Sequence, residues 1–362
     1  KTVLTDALGY QLSPEDVRMT RLRGRDVILT IRRDVQELAE AQLKLGMEQY
    51  RAKSGEIIIL DPETGDILAL ANSPSFDPRQ TRSSPPEAFT NRSLLDVYEP
   101  GSTFKVLTVA AGINEKAITP ETPCTRCAGP RQISGYTIRT WNDVYQPNIT
   151  MTEALEKSDN TAMIFIAEKV GADTMREYIQ KFGIGQPIGI ELQGDQSTPF
   201  PTQWGPIELA TISFGQGISA TSLQMVRAVA TIARGGQMIT PRIIKATRDQ
   251  QQEQPTPIVT GEQVITPETA ATVKTMMIAS AQHGEAQWVY SKKFSAAGKT
   301  GTSQIAENGS YNTDKTIASF IGFAPPDKPK FVMLVKLIEP QSSPWAAETA
   351  APLWYKIADQ LH

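Results

Sequence analysis

The stretch Tyr98-Glu99-Pro100-Gly101-Ser102-Thr103-Phe104-Lys105-Val106-Leu107-Thr108-Val109-Ala110-Ala111 decides how this chain is read. Pro100-Gly101 is turn chemistry, and an unbroken apolar-rich run from Val106 to Ala111 follows it. Ser102 is therefore expected at the N-terminus of a buried helix. There, unpaired N–H groups and the positive end of the helix dipole favour an alkoxide and an oxyanion. Positions i and i+3 share a helix face, so Lys105 should project beside Ser102, one turn deeper and among apolar neighbours. No other Ser in the chain has Lys three residues later.

Two further motifs follow in order. Ser158-Asp159-Asn160 is an S-x-N triplet, a pattern that Ser310-Tyr311-Asn312 also satisfies. Lys299-Thr300-Gly301 is the sole K-T-G, followed by Thr302. A serine hydroxyl is a weak nucleophile at neutral pH and needs a base beside it. Lysine serves as that base only if burial or a nearby positive charge depresses its pKa, and Lys299 is the natural like-charged neighbour of Lys105. Ser158 is placed to shuttle a proton toward a leaving amine. Asn160 is placed either to hydrogen-bond a substrate amide or to hold Lys105. On a strand, Lys299-Thr300-Gly301-Thr302 offers a charge and two hydroxyls to a terminal carboxylate, and Gly301 is expected to let a substrate backbone approach. The backbone N–H groups of Ser102 and Thr302 are the expected oxyanion hole.

Outward from these motifs, the elements alternate. Ser13-Pro14-Glu15-Asp16 is a helix start, with Ser as N-cap and Pro at the first helical position. Val27–Ile31 reads as a short strand, and Val35, Ala39, Leu43, Met47 and Tyr50 recur at helical spacing. Residues 55–60 and 67–71 read as a hairpin around Asp61-Pro62-Glu63-Thr64-Gly65-Asp66. Helical patterns dominate from Ser102 to about Ile232, and Thr150 with Glu153 is a capping box. Arg248–Pro257, rich in Gln and Pro, is expected as a surface loop. Thr266-Pro267 opens a helix. Residues 295–305, 315–323 and 330–338 read as strands, with Asn308-Gly309 as a turn between the first two, and Glu348–Leu361 closes as a helix. Strands near both ends, with helices between and after them, imply one sheet built from N- and C-terminal pieces with a helical insertion.

Composition narrows the chemistry. The 362 residues carry 36 Lys+Arg against 39 Asp+Glu, a net charge of −3, which argues against a nucleic-acid or anionic-membrane binder. The hydrophobic share of 40% is enough for a sizeable core. No apolar run is long enough to span a bilayer. Lys1 with no preceding Met reads as a cut end, with any anchor left outside the sequence. The two His, His283 and His362, exclude a His-rich metal site, and His283-Gly284 reads as the charge complement of a helix C-terminus. Cys124 and Cys127 lack the second pair a zinc site needs. They read as two loop thiols or one local disulfide, the oxidised form pointing outside the cytoplasm. Met276-Met277 reads as helical core.

S-x-x-K, S-x-N and K-T-G, in this order, are the signature shared by serine β-lactamases and penicillin-binding proteins. The chain resembles the transpeptidase domain of a class B penicillin-binding protein, and the resemblance reaches beyond the trio. Gly24–Ile31 resembles that family's entry strand, Asp61–Ala69 its first hairpin, and Tyr98–Ser102 its nucleophile block. Gly215-Gln216-Gly217, with Thr221 and Gln224, resembles the block before K-T-G. Together these cover about residues 24–362.

The resemblance implies a mixed α/β (α+β) fold of the penicillin-binding protein and serine β-lactamase type. Its features are an antiparallel five-stranded sheet flanked by helices, a helical subdomain, and a site in the cleft between them. Residues 1–24 would be the remnant of an N-terminal pedestal domain and 25–362 the transpeptidase domain. It implies attack by Ser102 on the D-Ala-D-Ala end of a peptidoglycan stem peptide, loss of D-Ala, and resolution of the acyl-enzyme by the amine of a second stem peptide. β-lactams would acylate the same serine, and no metal or organic cofactor is implied. A single N-terminal anchor on the extracytoplasmic face of the bacterial membrane and a SEDS-family glycan polymerase as partner are further implications. Arg32 departs from the Asp common in the family. The Ser-Asp-Asn form is shared with class A β-lactamases, which keeps a serine hydrolase of the same fold open, β-lactamase or D,D-carboxypeptidase. Against the β-lactamase, no sequence position stands out as a deacylating Glu, and more chain precedes the third motif than a compact β-lactamase requires. A non-catalytic β-lactam sensor would be expected to show a broken trio, and this one is intact.

Overall fold

A computed structural model describes residues 24–249, 252–307 and 310–362. The expected helix start at Ser13 and the Asn308-Gly309 turn lie outside the described residues, as does all but the last residue of the expected pedestal remnant. The N-terminal part comprises β1 (Asp26–Leu29), α1 (Arg33–Tyr50), β2 (Ser54–Leu60), β3 (Ile67–Ser73), α2 (Arg92–Leu95), β4 (Val97–Tyr98) and α3 (Lys105–Asn114). The middle comprises β5 (Arg131–Ile133), β6 (Tyr136–Ile138), α4 (Met151–Glu156), α5 (Asn160–Val170), α6 (Ala172–Lys181), α7 (Pro206–Ile212), β7 (Ala220–Thr221) and α8 (Ser222–Ala233). The remainder is β8 (Gln237–Ile239), β9 (Ile244–Asp249), β10 (Gln252–Pro255), β11 (Thr260–Gln263), α9 (Pro267–His283), β12 (Ala297–Glu307), β13 (Ser310–Ala324), β14 (Phe331–Ile338) and α10 (Ala350–Leu361).

The chain divides into two compact units. Among the described residues, the smaller takes those up to Leu29 together with those between Ile244 and Pro257. Its described part is a three-stranded sheet in the order β1-β9-β10, with Asp26 opposite Arg248. β1, read as the entry strand of the large domain, groups here because β9 pairs its backbone. Arg248–Pro257, expected as a loop, is instead mostly the β9–β10 hairpin. Every residue of β10 is exposed, so no apolar alternation marks it, and backbone pairing alone makes it a strand.

The larger unit is built on a five-stranded antiparallel sheet in the order β12-β13-β14-β2-β3. β2 is buried at all seven positions, as the unbroken run Ile57-Ile58-Ile59-Leu60 demands of a central strand covered on both faces. Successive side chains serve opposite cores. Ile57 and Ile59 join Met333, Val335, Leu43 of α1 and Trp354 of α10. Ile58 and Leu60 join Val332, Leu334 and the helical side, which includes α3, α5 and α8. Trp354, fully buried, donates its indole N–H to the Met333 carbonyl at 2.9 Å and so ties α10 to the sheet.

α8 is buried at all twelve positions and α5 at seven of eleven. Two of the helix starts read from sequence are observed. Thr150 and Glu153 form both halves of the capping box of α4, and Thr266 caps α9. Met276 and Met277 are core. Cys124 and Cys127 form a disulfide with both residues buried, closing a short loop ahead of α4. Among the described residues, no helix is long and apolar enough to cross a membrane.

Candidate active site

Ser102 lies in a 3₁₀ turn, Gly101–Phe104, that runs directly into α3. Gly101 has φ +54°, in the left-handed region that glycine tolerates best, and its N–H donates to Gly215 O at 3.0 Å. Gly215, at φ +81°, meets the turn so closely that a Cβ there would collide with Gly101 O. The turn that presents Ser102 is thus clamped between two glycine backbones.

Lys105 is fully buried one turn on from Ser102. Its Nζ donates to Ser158 O at 2.5 Å, Ser158 Oγ at 3.1 Å and Asn160 Oδ1 at 2.8 Å. Of the two alternatives for Asn160, the structure shows it holding Lys105, while its Nδ2 donates to Arg139 O at 2.9 Å. Burial, and next the Lys299 charge, lower the Lys105 pKa to about 7, against weaker opposing pulls from Glu285 and Asp159. Ser158 sits at φ +55°, rare for a residue with a side chain, and both its carbonyl and its hydroxyl meet the Lys105 ammonium. Asp159 has a structural task. Its Oδ1 accepts from Thr161 N at 2.7 Å and Ala162 N at 3.0 Å, capping α5.

Lys299 is buried on β12 and donates to Thr300 Oγ1 at 3.0 Å. Burial lowers its pKa, and Glu285 opposes that shift. Thr300 Oγ1 in turn donates to Glu285 Oε2 at 2.5 Å. The hydroxyl expected to face a substrate carboxylate is therefore engaged by a carboxylate of the protein. Thr302 lines the cleft and its Oγ1 accepts from Ala346 N at 3.1 Å. Gly301 is required for a reason other than the expected approach of substrate. A Cβ there would lie 2.7 Å from Thr103 Cγ2 and 3.0 Å from Pro100 O, so the glycine admits the nucleophile turn against β12.

These residues surround a cleft of about 360 Å³, lined by Ser102, Ser158, Asn160, Thr302 and also Glu285, Arg139, Trp141, Gln304 and Trp345. Sequence reading missed the last five. Trp141 and Trp345 meet edge to face with ring centroids 5.4 Å apart, although 204 positions separate them in the chain (345 − 141). Glu285 directly follows His283-Gly284 at the end of α9, where nothing in the local pattern marks a functional carboxylate. His283 does end its helix as expected, and its Nδ1 meets Glu156 Oε1 at 3.3 Å. The second S-x-N triplet begins β13, and Tyr311 within it donates to Glu99 Oε2 at 3.0 Å.

A serine on the first turn of a buried helix, with a buried lysine one turn behind it and a second lysine on the facing strand, defines the active-site-serine fold that β-lactamases and penicillin-binding proteins share. Within that class, residues 55–359 match the family model "Penicillin binding protein transpeptidase domain", and the chain belongs to this family.

Its relatives include stage V sporulation protein D of Bacillus subtilis, 32% identical over 96% of this chain and 55% of that protein. Another is the probable peptidoglycan D,D-transpeptidase PenA of Neisseria meningitidis, 30% identical over 88% of this chain and 53% of that protein. Penicillin-binding protein 3 of Mycobacterium tuberculosis, solved in complex with aztreonam, superposes with a TM-score of 0.87 at 30% identity. That match covers 94% of this chain and 79% of the solved one. The chain spans about half the length of the first two of these relatives.

Proposed function

We propose that this chain is the catalytic part of a peptidoglycan D,D-transpeptidase that cross-links stem peptides through a Ser102 acyl-enzyme and is acylated there by β-lactams. The observation that carries the reading is the buried Lys105, its pKa lowered to about 7, held by Ser158 and Asn160 behind the nucleophile turn. A base with that pKa is half neutral at physiological pH and accepts the Ser102 proton without a histidine. Ser102 Oγ then attacks the carbonyl carbon of the penultimate D-Ala. The N–H groups of Ser102 and Thr302 hold the oxyanion, and the proton leaves through Lys105 and Ser158 to the departing D-Ala amine. Lys299 and Thr302 face the terminal carboxylate, with Thr300 and Gly301 setting the strand that carries them. The acyl-enzyme is resolved by an amine.

The wider assignment follows the same reading. Residues 25–362 are the transpeptidase domain and 1–24 the end of a pedestal domain. The protein works on the extracytoplasmic face of a bacterial membrane, held by an N-terminal anchor and beside a SEDS-family glycan polymerase. The Cys124–Cys127 disulfide supports an oxidising compartment.

A hydrolase reading gains one feature from the structure, because the cleft does contain a carboxylate, Glu285. Its Oε2 is held by Thr300 on the third motif, and Lys105 donates to other groups. Intact-mass detection of a penicilloyl adduct, followed over hours, separates a transpeptidase from a β-lactamase. A transpeptidase retains the adduct and Ser102→Ala never forms it. Loss within seconds would make the chain a β-lactamase, and labelling that survives Ser102→Ala would refute the nucleophile.

A further inference from the structure

Beside the catalytic cleft lies a second cavity of about 340 Å³, which shares Trp141 and Glu285 with it. Three carboxylates line it, Glu156, Asp159 and Glu285, against one ammonium, Lys157. Lys157 Nζ donates to Oε1 of Gln146, which lines the same cavity. His283 sits over Glu156 at 3.3 Å. Asp159 Oδ1 is committed to the N-terminus of α5. Of these three carboxylates, Glu285 alone faces both spaces. Thr300 fixes its Oε2, and among the described residues its Oε1 carries no hydrogen bond. A half-buried carboxylate held by one oxygen, at the junction between an acidic cavity and the serine cleft, is arranged to receive a cation.

The reaction proposed above needs such a cation. An alkyl amine with a pKa near that of lysine, about 10.4, arrives at neutral pH as its ammonium ion. We infer that Glu285 and the acidic cavity bind the amine acceptor of the second stem peptide as ammonium and deliver its nitrogen to the acyl-enzyme. This inference rests on the transpeptidase reading and assigns the acceptor side of the same site.

The step balances. The ammonium nitrogen, held by the Glu285 carboxylate, loses one proton to water. The freed amine attacks the acyl carbon, the new C–N bond forms, and the C–O bond to Ser102 breaks. A second proton moves from nitrogen through Ser158 and Lys105 to Ser102 Oγ. The products are the amide, free Ser102 and one proton in solution. Neither Lys105 nor Lys299 lines this cavity, although Glu285 acts on the charge of both, so the lining itself carries three carboxylates against Lys157 and His283.

The test measures partition, because both products come from one acyl-enzyme and any effect on acylation divides out. A thioester of N-benzoyl-D-alanine serves as donor, Nα-acetyl-lysine amide as the ammonium acceptor, methanol as a neutral acceptor, and mass spectrometry counts amide, methyl ester and acid. Glu285→Gln is expected to lower the amide-to-acid ratio about tenfold and to move the ester-to-acid ratio less than twofold. In the unmodified protein, added salt should lower the amide ratio alone, because salt screens the attraction of a dissolved cation to the acidic cavity. Glu156→Gln, on the cavity wall, should lower it about twofold, and this variant decides the matter if Glu285→Gln does not fold. An amide ratio that is unchanged, or that falls in step with the ester ratio, overturns the inference. If the unmodified protein forms no acyl-enzyme at all, the transpeptidase reading fails instead.

Discussion

At the scale of single side chains, burial beside Lys299 brings Lys105 down to about 7 and makes its titration visible in the working range. In the proposed mechanism the neutral amine is the active form, so the rate of acylation by a penicillin should rise with pH through about 7 and then level off. Stopped-flow acylation across pH 5–9 checks this. Glu285 pulls the same pKa upward, so Glu285→Gln should move the inflection to lower pH. An inflection that stays in place would show that the carboxylate does not sense the lysine. Asp159 acts differently, through the helix it caps. Asp159→Ala should cost about 1–2 kcal/mol, read as a lower denaturation midpoint.

At the scale of elements, the nucleophile turn depends on contacts that its own sequence does not contain. Gly215, after α7, touches Gly101, and Gly301, on β12, makes room for Thr103 and Pro100. A methyl group at either glycine must push the turn that presents Ser102. Gly215→Ala adds the strain of a positive φ to that collision and should slow acylation at least tenfold, measured with a fluorescent penicillin. Elements that make their own short-range hydrogen bonds were legible in advance. The capping box at Thr150, the N-cap at Thr266 and the β2–β3 hairpin each depend on residues a few positions apart. The β9–β10 hairpin was not legible, because a strand with no buried face carries no alternation.

At the scale of the whole molecule, the sheet carries an ion pair at its centre. Glu56 on β2 lies opposite Lys336 on β14, with the ammonium 2.5 Å from the carboxylate and both side chains 1% exposed. The ammonium also stacks over the Tyr98 ring at 4.0 Å, on the strand that leads into the nucleophile turn. Removing one partner leaves a buried charge without its counter-ion. Glu56→Ala should therefore destabilise the fold by about 3–5 kcal/mol, whereas Glu56→Leu with Lys336→Met should come within about 1–2 kcal/mol of the parent. Urea unfolding of the three proteins checks this.

The sequence by itself determined the order of the three motifs, the buried helix that starts at Lys105 directly behind Ser102, and the strands of the large sheet. Each of these rests on side-chain periodicity or on hydrogen bonds between near neighbours, which any copy of the same stretch would repeat. Only the tertiary structure decided that Asn160 holds Lys105, that Thr300 is turned to Glu285, and that Trp141 meets Trp345 across the cleft. The pairing of Glu56 with Lys336 was settled the same way, by strand register. The physical reason is common to all four. These contacts join chain segments brought together by sheet pairing and core packing, and no local pattern encodes which distant partner a buried polar group will find.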